Sequence, residues 1–164
     1  MVPLSRRGFA QSSLRTVAAA VTGRHLVQPD PELRFEFLLD LEFTVDKPEQ
    51  VSKDRLVVPV AGGRFDGPRL KGTLVAPAAD WIQQRSNGAR ALDVRAMMRT
   101  DDGELIFLSW RGIAYTTSDG SLFARIVPAF EAGAARYDWL NNVLAIGVYR
   151  NLPAGIGYRV YQIL

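Results

Sequence analysis

In the stretch LDVRAMMRTDDGELIFLSWRG, residues 92–112, Asp93, Arg95, Met97 and Arg99 recur at every second position. This is the alternation of one face of a β-strand. The turn TDDG, with Gly103 at the left-handed position of a short hairpin loop, fixes which residues meet across the pair. One face then sets Asp93 opposite Arg111, Arg95 opposite Ser109, Met97 opposite Phe107 and Arg99 opposite Leu105. The other carries Val94 opposite Trp110, Ala96 opposite Leu108 and Met98 opposite Ile106, and is dry. A few charged groups set among Met97 and Phe107 are what a small-molecule pocket uses to fix orientation between apolar walls. The same row also suits a solvated surface, with Asp93 and Arg111 as an ordinary cross-strand pair. A slip of one residue exchanges the two faces, so periodicity alone leaves both uses open.

Other chemistries fail on residue type. The chain of 164 residues has no cysteine and a single histidine, His25, upstream of the first strand pattern. That removes disulfides, thiolate chemistry, Cys-ligated zinc and His-based triads. No Gly-x-Ser-x-Gly elbow occurs, GGRFDGPRLKG has neither a Walker nor a dinucleotide-binding spacing, and carboxylates do not cluster as a magnesium or calcium site needs. The expectation is no metal and no cofactor. Of 20 basic and 17 acidic side chains, residues 1–30 hold four arginines and Asp30, leaving residues 31–164 with 16 of each. A neutral domain without a basic patch is not expected to bind nucleic acid.

To position such a row, the chain must supply a sheet. LRFEFLLDLEFTV places Phe35, Phe37, Leu39, Leu41 and Phe43 on one side, with Leu38 the exception to the alternation. Further strand patterns cover residues 55–61, 69–75, 91–100, 104–115, 122–130, 143–150 and 156–164, separated by GGRFDGP, RSNG, TDDG, TSDG and NLPAG. Short helical turns fit ARYDWLNN, anchored by Trp139 and Leu140, and APAADWIQ. The pattern predicts an all-β domain over residues 31–164: a sandwich, or a closed antiparallel β-barrel of about eight strands. The glycines of GGRFDGPRLKG suit a bulge or a tight barrel corner. Strands VLAIGVY and RLVVPV are apolar on both faces, which predicts that a partner covers part of the outer surface.

Residues 1–30 read differently. SRRGFAQS resembles a twin-arginine export signal through Ser5, Arg6, Arg7 and Phe9, although Ala10, Gln11 and Arg15 depart from the pattern. The apolar run TVAAAVTG is too short to span a bilayer. Export to the periplasm is expected, without membrane insertion; the alternative is an amphipathic or disordered extension of a cytoplasmic protein.

GGRFDGPRLKGTL, AADW, LDVRAMMRTDDGELIF, FEAGAARYDWLNN and the closing VYQIL together resemble the bacterial and fungal family known as domain of unknown function 3237, over about residues 33–164. The resemblance implies an antiparallel β-barrel similar in outline to calycin-type barrels, paired as a homodimer. The family's polar signature falls on Asp80 and Trp81, Asp93 and Arg95, and Trp139 and Asn141, all kept here. It is broken at Ile126 and Val127, where relatives more often carry a hydroxyl.

Adding the resemblance gives Asp80 or Asp93 as a general base and Arg95 as the group holding an enolate or carboxylate oxygen. Trp81, Met97, Phe107, Arg111, Trp139 and Asn141 would contact the substrate. In the competing use Asp80 caps a helical turn starting at Trp81, and Trp139 plugs a barrel end. The functional expectation is a cofactor-free isomerase or lyase acting by proton transfer on a small lipophilic or aromatic carbonyl compound, with Asp93 and Arg95 facing inward. The alternatives are a non-catalytic binder and a dimeric scaffold.

Overall fold

The computed structural model describes residues 32–153 and 155–164, so the twin-arginine-like segment lies outside the described residues. Nine strands follow one another: β1 Phe35–Val45, β2 Glu49–Ser52, β3 Arg55–Asp66, β4 Lys71–Gln84, β5 Arg90–Thr100, β6 Leu105–Thr116, β7 Leu122–Ala132, β8 Ala145–Asn151 and β9 Ile156–Ile163. A 3₁₀ helix, Ala135–Asn142, joins β7 to β8. All pairings are antiparallel, in the order β1-β9-β8-β7-β6-β5-β4-β3-β2. A further pairing of β1 with β3 closes eight of the strands into a barrel and leaves β2 as a short flap on β3.

Closure depends on close backbone approach at the seam. A Cβ on Gly63 of β3 would lie 2.3 Å from the carbonyl oxygen of Glu42 in β1, so only glycine fits there. This is the tight corner that the GGRFDGP run suggests. The TDDG hairpin also takes its expected form: Gly103 has φ +94°, and Arg99 pairs with Leu105 and Met98 with Ile106.

Two local expectations are corrected. Phe35 and Phe37 do not share the face of Leu39, Leu41 and Phe43, because the β1–β9 register shifts between Phe37 and Leu39. Leu38 and Leu39 are both buried by this bulge, while Phe35 and Phe37 turn outward and meet Tyr161 edge-on. APAADWIQ is not a helical turn but the second half of β4, paired on both sides with β3 and β5. Two neighbouring strands satisfy its backbone groups, and Leu74 and Ile82 turn into the core, which outweighs the helical preference of its alanines. Asp80 therefore does not cap a helix.

The core is the inner wall. Leu39 and Leu41, Met98, Ile106 and Leu108, Ile126 and Val160 are all fully buried there. A Cβ at Gly147 would sit 2.4 Å from the Ile126 side chain, so the barrel's middle is solid.

Candidate functional site

The two ends of the barrel differ. At the end where β7 gives way to β8, the 3₁₀ helix is a plug, with Tyr137 and Leu140 buried. Asn141 clamps the plug to β7: its Oδ1 accepts from the Ala132 N–H at 2.8 Å, and its Nδ2 donates to the Ala132 carbonyl at 3.0 Å. The Tyr137 hydroxyl donates to Asp102 of the β5–β6 turn at 2.7 Å, and Arg136 pairs with the same carboxylate. Trp139 is half-buried against the core, its ring 3.4 Å from the guanidinium carbon of Arg69. Trp139 and Asn141 thus stand in the plug, at the far end of the molecule from Asp80.

At the opposite end the inner wall turns polar and aromatic. Residues 56, 58, 60 and 82 place Leu56, Val58, Val60 and Ile82 along β3 and β4, and Asp80 lies on the inner face between its strand partners Val58 and Val94, both buried. Arg90 shares that face at the start of β5, opposite buried Ala114. Phe43, Trp110 and Tyr158 form one aromatic group: Phe43 and Tyr158 stack at 6.2 Å, and Trp110 lies 5.8 Å from Phe43 and 6.1 Å from Tyr158. Tyr149 meets Tyr158 edge-on at 6.0 Å and completes the rim.

Electrostatics follow from this setting. Asp80 Oδ1 accepts a hydrogen bond from the Asp93 N–H at 3.1 Å. Burial is the largest influence on the Asp80 carboxyl and raises its pKa, the hydrogen bond lowers it, the Asp93 charge raises it again and Arg90 lowers it; the result is about 6. Tyr158 is pushed well above the ordinary phenol range, first by burial and then by the negative charge on Asp80, so its hydroxyl keeps its proton. Trp110 is 3% exposed, and its Nε1–H has no hydrogen-bond partner among the described residues. The arrangement offers a carboxyl whose proton exchanges near neutral pH, on the same inner face as hydroxyl, indole and guanidinium donors.

The expectation that Asp93 and Arg95 look inward is corrected. The dry face of the hairpin, with Val94, Ala96 and Met98, fills the barrel, and the mixed face is the outer wall. Transfer free energy decides this: three apolar side chains gain more from burial than a carboxylate and two guanidinium groups could recover after losing their hydration. Asp93 and Arg95 form a partly exposed ion pair at 3.4 Å, and the Arg95 guanidinium lies 5.6 Å from the ring centre of exposed Trp81. With Phe107, Ser109, Arg111 and Val127 they border an outer groove of about 390 Å³. Met97 lies on the same outer face, opposite Phe107. Arg95 is therefore separated from Asp80 by the wall of the barrel.

Arg90, Trp110, Tyr149 and Tyr158 were not singled out by sequence reasoning. Their signal was position: each is in step with the buried alternation of its strand, Arg90, Tyr149 and Tyr158 towards the unplugged end and Trp110 midway along β6. Only closure brings them together. Among the described residues there is no cluster of His, Asp and Glu suited to a metal ion, and no helix long and apolar enough to cross a membrane.

Residues 31–163 match a family described as a protein of unknown function, DUF3237. The chain belongs to this family. A β-barrel-like protein from Acinetobacter baumannii superimposes with a TM-score of 0.75 at 26% identity, over 84% of this chain and 99% of that one. A UPF0311 protein of Clostridium acetobutylicum is 24% identical over 80% of this chain and 95% of its own length. The hydroalkoxylation enzyme phnH of Penicillium herquei is 23% identical over 85% of this chain and 87% of its own. This DUF3237 member thus has a closed antiparallel barrel like those of its bacterial relatives, and a distant fungal relative is an enzyme.

Proposed function

We propose that the barrel binds a small aromatic or conjugated carbonyl compound at its unplugged end and moves a proton on it, with Asp80 as the proton carrier. One observation carries this reading: a carboxyl group stands on the inner wall among aromatic side chains, with a pKa of about 6, so both its forms are available near neutral pH. As a carboxylate it takes a proton from a carbon next to the carbonyl. The C–H electrons move to the oxygen, giving an enolate, and return of the proton to another carbon completes an isomerisation. Arg90, on the same face, supplies the positive charge that the sequence assigned to Arg95. The Tyr158 hydroxyl adds a neutral donor. Asp93 acts through the wall, by its N–H on Asp80 and by its charge.

The fungal relative's hydroalkoxylation lends support to this class of chemistry. Adding O–H across a carbon–carbon double bond also needs one proton taken from oxygen and one delivered to carbon.

Acetophenone in deuterated water tests the proposal, with exchange of its methyl protons followed by proton NMR. The protein is expected to speed exchange, and Asp80→Asn to abolish the acceleration while leaving binding intact. Binding without accelerated exchange would instead favour a non-catalytic carrier.

Exposed Phe35, Phe37 and Ile146 beside Tyr161 support pairing of two copies through the outer face of β1, β9 and β8. Sedimentation of Phe37→Glu against the parent chain checks it: the variant is expected to run as a monomer. The twin-arginine-like start supports export, which a fusion of residues 1–30 to a periplasm-dependent reporter tests.

A further inference from the structure

We propose that the Trp110 indole N–H is the anchor of the unplugged-end site, donating to an oxygen of the bound molecule, and that the site therefore selects neutral, flat, apolar compounds bearing an acceptor oxygen. This rests on the reading that the end binds a small molecule, and it gives that molecule its anchoring contact and the basis of its selection.

Three observations carry it. The Trp110 Nε1–H is a good donor without a partner, in a side chain only 3% exposed. A buried polar group left unpaired costs about 1–3 kcal/mol, so its presence on an otherwise well-packed inner wall needs a compensating acceptor. A phenylalanine would fill most of the same volume without that cost.

Second, the indole is set among rings that would grip a flat molecule. Phe43 and Tyr158 lie nearly parallel, 20° apart, and Trp110 is tilted 40° from Phe43 and 57° from Tyr158. Such rings favour offset or edge contacts with another aromatic system.

Third, charge decides between guests. An aromatic group beside a carboxyl could suggest a cage for a quaternary ammonium ion. Here the partner to be satisfied is the indole donor, and Arg90 adds a full positive charge on the inner face, close enough to act on Asp80. Asp80 carries a full negative charge only above about pH 6. A cation would find the Asp80 charge offset by Arg90 and no partner for the indole, whereas an acceptor oxygen would find two donors.

The test compares acetophenone with α-methylstyrene, in which a CH₂ group replaces the carbonyl oxygen at nearly constant shape. Both are titrated into the full chain while the indole N–H resonances of its three tryptophans are followed by NMR. Acetophenone is expected to shift the Trp110 resonance downfield and to bind about tenfold more tightly than α-methylstyrene, the ratio of one hydrogen bond. Trp110→Phe, which keeps a ring and removes the donor, is expected to erase that ratio.

Equal affinity of the two probes, a Trp110 resonance that neither moves, or tighter binding of phenyltrimethylammonium would each overturn the inference. The resonance in the unaltered protein decides the matter even if Trp110→Phe does not fold. Failure here leaves the role of Asp80 standing if acetophenone exchange still depends on Asp80. Failure of that exchange, with the tenfold ratio intact, leaves a selective binding site without proton transfer.

Discussion

The two ends of the barrel solve the same problem, closing a tube of strands, in opposite ways. At the plugged end the buried polar side chains of the described residues have partners: Asn141 satisfies both backbone groups of Ala132, and the Tyr137 hydroxyl reaches Asp102. At the other end Trp110 has a donor with no partner, and Asp80 holds a carboxyl whose ionisation burial opposes. Satisfied polar groups stabilise and specify a fold. Unsatisfied and perturbed ones cluster where a protein binds or reacts. The contrast teaches that one end is built for stability, and it is what supports the proposal of a guest at the other.

The largest effect expected from breaking this contrast is at the plug. Leu140 is fully buried, and Leu140→Ala is expected to lose about 3 kcal/mol in denaturant unfolding. Asn141→Ala leaves the Ala132 N–H and carbonyl without their side-chain partner, at about 2 kcal/mol. Neither change is expected to move the Asp80 titration. If either does, the two ends are not independent.

The opposite sign is expected at the unplugged end. The Asp80 pKa of about 6 lies above its ordinary 3.8. The protonated form is therefore favoured in the folded chain, and that contribution is fully present below the ordinary value and lost as pH rises through about 6. Asp80→Asn keeps an oxygen to accept from Asp93 N–H but cannot ionise. It is expected to match the parent's stability in acid and to exceed it above neutral pH by roughly 2 kcal/mol, measured by urea unfolding across pH. A variant less stable than the parent at every pH would sink this account of the carboxyl.

The outer face gives the smallest effect. Arg95→Met breaks a partly exposed pair with Asp93 and is expected to change stability by only a few tenths of a kcal/mol. Asp93→Asn should do as little to stability yet lower the Asp80 pKa, because the Asp93 charge helps to raise it.

Much of this architecture can be read in the sequence, for reasons that differ from residue to residue. The hairpin register followed from Gly103, whose positive φ the turn requires. Leu38, the one break in an alternating strand, marked the bulge that turns Phe35 and Phe37 outward. Which face of the hairpin is inside was not legible from alternation, since both faces repeat with the same period; the burial of Val94, Ala96 and Met98 settles it. Asp80 was singled out through its motif but expected beside Arg95, which lies on the outer face. Arg90, Trp110, Tyr149 and Tyr158 come from four strands, and they gather on one inner wall only once β1 pairs with β3. Reading them requires the inner face and the level of four strands together, which is tertiary information.

The most direct measurement is the titration of the aspartate carboxyl carbons by NMR, comparing the parent chain with Asp80→Asn. The account predicts one resonance with a midpoint near 6 that disappears in the variant. If the resonance lost on substitution instead titrates near the ordinary 3.8, the unplugged end holds no carboxyl ready to trade protons at neutral pH, and the proposed chemistry is contradicted.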